Sequence, residues 1–221
     1  MEAKRIAAER AVEWVKDGMI VGLGTGSTAY WAISKIGERV QEGLQIKAVS
    51  SSLVTEQLAT EMGIPLTTLS EVEAIDLTID GADEVDRDFN LIKGGGGALL
   101  REKVLAYNSK TFVVVVDESK MVGTLGRYPL PVEIVSFAAE RTLQHLIDLG
   151  CKATLRKEGD GLFTTDNGHL IADCNFEQIP DPASLDVILR TIPGVVETGL
   201  FVHNMVTHVI VGYKDGGVEV L

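Results

Sequence analysis

Apolar and polar positions alternate along this chain with two different periods. Over residues 2–16, Ile6, Ala7, Ala11, Trp14 and Val15 share roughly one helical face, with Glu and Lys/Arg elsewhere, and Asp17-Gly18 closes that first helix. Met19 to Gly22 is a short apolar run suited to a buried strand. It leads through GLGTGSTA (22–29) into a helix with apolar Tyr30, Trp31, Ile33 and Ile36. Ile46–Val49, Ile64–Leu66 and Ile75–Ile79 read as further strands, with a helix over Thr55–Met62 between the first two. A helix is expected to run on through Val104, Leu105 and Tyr107. Phe112 to Val116 (FVVVV) is an unbroken apolar run, as expected for a strand buried on both faces. Strands alternating with helices predict a parallel α/β sheet, whose ligands sit beyond the carboxyl ends of the strands.

From Pro129 the pattern changes. Pro131–Val135, Lys152–Lys157, His169–Asp173 and Val195–Phe201 read as strands. Helices are expected over Phe137–Leu149 and after Asp181-Pro182, stopped by Pro193-Gly194. The order β-α-β-β-α-β is the ferredoxin-like one. Val206–Tyr213 is expected to return to the main sheet. The predicted fold is therefore a parallel-sheet, Rossmann-like three-layer α/β domain over residues 1–128 plus 203–221, with a small ferredoxin-like α+β domain over 129–202.

Composition narrows the partners. The chain has 221 residues, 45% hydrophobic and 24% charged, the balance of an ordinary globular protein with a well-buried core. A net charge of −12 argues against nucleic acid and anionic membrane as partners, since both need a basic surface. No apolar run is long enough to span a bilayer, and the charged N-terminus lacks a signal-type apolar segment. Cys151 and Cys174 form no CxxC pair and are read as reduced thiols of a cytoplasmic protein.

The chemistry concentrates between Ile79 and Lys103, IDGADEVDRDFNLIKGGGGALLREK. Asp80 and Asp83 close a β-branched run. Lys93 and four consecutive glycines follow, and Glu102 enters on a helix. One glycine would serve a turn, whereas four let backbone N–H groups approach a ligand closely. The strand-loop-helix at Gly24–Thr28 places N–H groups and a helix dipole where a phosphate binds. The glycine spacing there resembles a dinucleotide fingerprint, but the next strand ends in Ser50-Ser51-Ser52 rather than the acidic residue a ribose hydroxyl needs. Ser27 or Thr28 would also serve as an ordinary helix N-cap. Four strand ends are expected to converge: the Gly24–Thr28 loop, Ser50–Ser52, Asp80–Asp83 and Lys120.

With the phosphate of a small polyol anchored there, a carboxylate can remove an α-proton beside a carbonyl while a cation stabilises the enediolate. No redox cofactor is needed, and none is predicted. No metal is predicted either. Lys93 competes for the carboxylates, and His145, His169, His203 and His208 lack the i, i+4 spacing of a helical metal site. A non-catalytic sugar-phosphate sensor would leave Glu102 without a task and needs a DNA-reading module. A dehydrogenase would rest on the 22–26 glycines alone. An amino-sugar phosphate isomerase/deaminase is chemically compatible.

Taken together, GTGST (24–28), SSS (50–52), DGADE (80–84), KGGGGALLREK (93–103), FVVVVDESK (112–120), GRYPLPVE (126–133) and IPGVVETGLF (192–201) resemble ribose-5-phosphate isomerase type A across nearly the whole chain. That resemblance implies isomerisation of ribose 5-phosphate to ribulose 5-phosphate in the pentose phosphate pathway, by a metal-independent cytoplasmic homodimer or homotetramer. It implies Glu102 as the base, Asp80 in ring opening, and Lys93 with Asp83 polarising the sugar oxygens. The substrate site would comprise Thr25, Gly26, Ser27, Thr28, Ser50, Ser51, Asp80, Gly81, Ala82, Asp83, Lys93, Gly94, Gly95, Gly96 and Lys120.

Overall fold

The computed structural model describes residues 1–202 and 204–221; His203 lies outside the described residues. The elements, in chain order, are α1 (Glu2–Val12), β1 (Ile20–Leu23), α2 (Ala29–Gln41), β2 (Lys47–Ser50), α3 (Leu53–Glu61), β3 (Ile75–Asp80), β4 (Glu84–Val85) and β5 (Leu91–Ile92). Then come α4 (Leu99–Tyr107), β6 (Ser109–Asp117), β7 (Leu130–Ile134), α5 (Ala139–Ile147), β8 (Lys152–Leu155), β9 (Lys157–Glu158) and β10 (Gly161–Leu162). The last are β11 (Leu170–Asn175), α6 (Pro182–Arg190), β12 (Val195–Thr198), β13 (Leu200–Phe201), β14 (His208–Gly212) and β15 (Val218–Val220). The chain divides into two compact units: Met1–Ala82 with Arg101–Met121 and Met205–Leu221, and Asp83–Leu100 with Val122–Asn204.

The first unit is a six-stranded sheet in the order β15-β14-β6-β3-β1-β2, parallel except at β15. Its core forms because strand residues alternate between faces: Ala48 packs with Ile33, Ile36, Leu77 and Ile79, while its neighbour Val49 packs with Ile75 and Leu105. Burying each such aliphatic side chain contributes about 1.5–3 kcal/mol. Phe112–Val116 is buried throughout, as its unbroken apolar run predicts. Helix α1 lies so close to β14 that a Cβ at Gly212 would meet Ala3 O at 1.9 Å. The expected Ile64–Leu66 strand reduces to one parallel bridge, Ala48 to Leu66, because Pro65 stands in it and lacks an N–H for a ladder.

The second unit contains a four-stranded antiparallel sheet ordered β12-β7-β11-β8, with α5 and α6 packed on it. Numbered within the βαββαβ sequence this is 4-1-3-2, the ferredoxin-like arrangement. Leu130, Val132 and Ile134 of β7 point into its core with Leu146, Leu189 and the free, buried Cys151 and Cys174. A second, three-stranded sheet, β13-β5-β4, belongs to the same unit.

Several boundaries differ from the sequence expectation, among them Val122–Tyr128, expected in the first domain but grouped with the second unit. The predicted Val195–Phe201 strand divides at Gly199 and serves two sheets. Gly199 N–H donates to Pro131 O at 2.7 Å, and its carbonyl accepts from Lys93 N at 2.9 Å. A Cβ there would lie 2.4 Å from Lys93 O, so only glycine passes between the strands. Asp83–Leu100 groups with the second unit, not with residues 1–82, because β13 pairs with β5. No helix among the described residues is long and apolar enough to cross a membrane.

Candidate active site

Within the first unit the predicted groups gather at the carboxyl ends of β1, β2 and β3. Asp80, the last residue of β3, is 1% exposed, and its Oδ1 accepts from Gly81 N at 2.7 Å and Thr25 N at 3.1 Å. Gly24 makes this approach possible, since a Cβ there would lie 2.0 Å from Asp80 Oδ1. Thr25 Oγ1 hydrogen-bonds with Ser51 Oγ (2.8 Å), donates to Ser52 Oγ (2.8 Å) and meets Thr55 Oγ1 at 3.1 Å. Thr55 Oγ1 donates in turn to Gly24 O at 2.9 Å.

Ser52 caps α3, accepting from Thr55 N at 3.1 Å, while Ser51 is fully buried. The serine cluster after β2 thus braces the glycine loop from beneath, with Ser50 half-buried at the strand's end. Gly26 and Ser27 are exposed at the loop's tip. Thr28 occupies the N-cap position of α2 without a side-chain cap bond, and the first turn of α2 carries no acidic residue. That helix end keeps its affinity for an anion instead of satisfying it internally.

Lys4 escaped the sequence reading. Its Nζ donates to Ser27 Oγ at 2.9 Å, which brings a cation from α1 to the glycine-hydroxyl loop. The only sequence signal was a lysine on the polar side of an amphipathic helix, a placement shared by many solvated charges. Lys120 ends the short 3-10 turn after β6. It sits close enough to act on Asp117, whose carboxyl is pushed up by burial. Bonds from Ser119, with Lys4 and Lys120, outweigh that and hold it below the usual range. Glu102, in the first turn of α4, is 4% exposed.

In the second unit a hairpin explains how Asp83 and Lys93, ten residues apart, come together. β4 and β5 pair antiparallel, Glu84 opposite Ile92, and Asp83 N donates to Ile92 O at 2.8 Å. Asp86 closes the turn, its Oδ1 accepting from Asp88 N and Asn90 N, each at 2.9 Å. Asp83 and Lys93 thus flank the same paired residues, Glu84 and Ile92. Lys93 is 2% exposed, its Nζ 5.5 Å from the centre of the Phe201 ring.

The Asp83 carboxylate holds the glycine loop, Oδ2 accepting from Gly95 N at 2.8 Å. Gly97 N donates to Gly94 O at 2.9 Å, with positive φ at both glycines (105° and 81°). Two of the loop's N–H groups are thus committed inside the protein. Tyr128 was also missed. Its hydroxyl lies 2.6 Å, and Asp83 Oδ1 2.7 Å, from where a Gly95 Cβ would stand. Burial first, and then the Asp83 charge, push the Tyr128 phenol above its ordinary value, so it keeps its proton.

A parallel sheet whose strand ends carry an anion-receptive helix start, a hydroxyl cluster and the buried Asp80, with Glu102 buried on α4, has the layout of an α/β enzyme for a small anionic metabolite. The family model for ribose 5-phosphate isomerase A (phosphoriboisomerase A) matches residues 47–216. Ribose-5-phosphate isomerase A of Bacillus mycoides (strain KBAB4) is 52% identical, and that of Bacillus anthracis 55%, each over 217 residues and 98% of both chains. The structure of ribose 5-phosphate isomerase A from Methanocaldococcus jannaschii superposes with TM-score 0.93 at 42% identity, covering 99% of this chain and 97% of that one. A D-ribose-5-phosphate isomerase in complex with phospho-erythronic acid gives 0.95 at 43%, covering 99% and 96%. The chain belongs to the ribose 5-phosphate isomerase A family.

Proposed function

We propose that this chain interconverts D-ribose 5-phosphate and D-ribulose 5-phosphate through an enediolate. The observation that carries the reading is end-to-end identity of 52–55% to proteins of that name. The ligand of the similar complex, phospho-erythronic acid, supports it further. A phosphorylated four-carbon acid presents a phosphate and a planar pair of oxygens, as a five-carbon enediolate does.

The substrate phosphate is received by Thr25, Gly26, Ser27 and Thr28 at the start of α2, with Lys4 and Lys120 supplying positive charge. Ser50 and Ser51 support that loop. Asp80 relays the anomeric hydroxyl proton to the ring oxygen as the C1–ring-oxygen bond breaks and the sugar opens. The Glu102 carboxylate then takes the C2 proton of the open aldose, leaving an enediolate whose negative charge Lys93 offsets, and returns that proton to C1. The hydroxyl proton of O2 passes to O1, so the step is redox-neutral overall and consumes no co-reactant. Asp83 keeps the Gly94–Gly96 loop and Lys93 in register while charge develops. The enzyme works without metal, in the cytoplasm, in the pentose phosphate pathway, as a homodimer or homotetramer.

The test is a coupled assay on ribose 5-phosphate beside allose 6-phosphate and glucosamine 6-phosphate, repeated in D2O with detection of deuterium at C2. Turnover of the pentose phosphate with solvent exchange at C2 is expected. Turnover only of the amino sugar, or ribose 5-phosphate binding without exchange at C2, would overturn the proposal.

A further inference from the structure

Arg156 has no part in the chemistry above, yet it is built into the glycine loop. Its backbone is fixed on both sides: Arg156 N donates to Ile171 O at 2.8 Å, and its carbonyl accepts from Phe163 N at 3.0 Å. The guanidinium grips Asp173 through two bonds, Nε to Oδ2 at 3.0 Å and Nη2 to Oδ1 at 2.5 Å. The remaining nitrogen, Nη1, donates to Gly94 O at 2.9 Å and Gly95 O at 3.1 Å. The Phe163 ring lies 5.7 Å from the guanidinium carbon, and a Cβ at Gly97 would strike that ring at 2.3 Å. One arginine and its aromatic neighbour thus contact three of the four loop glycines.

The geometry points to Arg156, braced by Asp173, as the positioning residue that sets the direction of the glycine-loop amides during isomerisation. In a trans peptide the carbonyl and the N–H point opposite ways. Holding Gly94 O on Arg156 therefore turns Gly95 N–H away from it, and that N–H meets Asp83 Oδ2 at 2.8 Å. By the same rule, holding Gly95 O turns Gly96 N–H away from Arg156. The planar guanidinium can satisfy a carboxylate and two carbonyls at once, whereas an ammonium is a point charge without that fork. Glycine itself supplies no side chain to resist rotation of these peptide planes, so the constraint has to come from outside. Asp173 keeps the guanidinium from swinging out to water.

This role rests on the isomerase reading, and the test separates the two. Wild type, Arg156→Lys, Arg156→Ala and Asp173→Asn are assayed for kcat and KM on ribose 5-phosphate, with folded fraction measured by circular dichroism. Displacing reacting groups by about 1 Å costs on the order of 100-fold in rate, so Arg156→Lys should lower kcat by about 10–100-fold. KM should move by less than about threefold, because the Gly24–Thr28 loop that receives the phosphate is braced separately. Asp173→Asn should show a smaller loss in kcat. Added guanidinium ion at millimolar concentration should restore several-fold activity to Arg156→Ala and none to wild type. A kcat for Arg156→Lys within twofold of wild type overturns the role, as does a loss fully accounted for by unfolded protein. An inactive wild type would instead refute the isomerase reading itself.

Discussion

The chain carries two glycine-rich loops, and they are held by opposite means. The Gly24–Thr28 loop is braced by neutral hydroxyls: Thr25 Oγ1 meets Ser51, Ser52 and Thr55, and the buried Asp80 accepts from its Thr25 amide. The Gly94–Gly97 loop is held by charged side chains, Asp83 on one amide and Arg156 on two carbonyls. The contrast fits the tasks proposed for them. A loop that receives a dianionic phosphate keeps its own anions few, so its brace is made of hydroxyls. A loop beside developing negative charge needs amides aimed in advance, and ionised partners hold amides more firmly than neutral ones.

Glu102→Gln sets the scale for both loops. Removing a positioned general base costs ~10²–10⁴ in rate, so kcat should fall by that factor with KM nearly unchanged. Fold and loops should stay intact, as a matching circular dichroism spectrum would verify. Activity within tenfold of wild type would mean the base lies elsewhere.

Gly24→Ala comes next, and it attacks the hydroxyl-braced loop. The new methyl would stand 2.0 Å from Asp80 Oδ1 and 2.2 Å from its Cγ, and Asp80 is too buried to step aside. Either the carboxylate or the loop must move, at about 1–3 kcal/mol in stability. A shift of that size at a reacting group should cost on the order of 100-fold in kcat.

These positions also show what a sequence can carry. The parallel sheet was legible because its strands are apolar runs, Phe112–Val116 above all, and because Asp80 stands where a strand must end. The hairpin of β4 and β5 was not, since two-residue strands in a charged segment leave no periodicity to detect. Yet this hairpin is what brings Asp83 and Lys93 to the same end of the pairing. Lys4, Tyr128 and Arg156 were missed for one shared reason. Each reaches its loop from an element distant in sequence, and long-range packing, which no local pattern records, decides whether a charge is solvated or employed. The split of β12 from β13 at Gly199 belongs to the same class: a glycine in an apolar run signals a close approach, but not to which backbone.

Gly97→Ala probes the charge-held loop in the way that Gly24→Ala probes the other. The backbone there has φ +81°, and the methyl would lie 2.3 Å from the Phe163 ring. A left-handed non-glycine residue costs about 1–3 kcal/mol. For a chain of this length that is a drop in Tm of roughly 2–4 °C for each kcal/mol. Because Phe163 is half-buried and can yield, kcat should fall by less than in Gly24→Ala. An equal or larger loss of kcat would reverse the ranking of the two loops.

Tyr128→Phe should give the smallest effect and sharpens the comparison most finely, since it removes one neutral hydroxyl from the charge-held loop. The phenol sits beside Asp83 in front of Gly95, and both burial and the Asp83 charge disfavour its ionised form. Its titration therefore lies above the ordinary 10.0, and the hydroxyl stays protonated at and around neutral pH. Removing a partly buried hydroxyl beside a carboxylate costs about 0.5–1.5 kcal/mol, which corresponds to roughly a two- to tenfold lower kcat/KM. The sign follows directly: wild type and Tyr128→Phe should have kcat/KM profiles of the same shape up to about pH 9, separated by a constant factor. A gap between the two profiles that closes as pH rises from about 7 to 9 would mean the phenol ionises in that window. Asp83 would then not be the charge that holds it neutral.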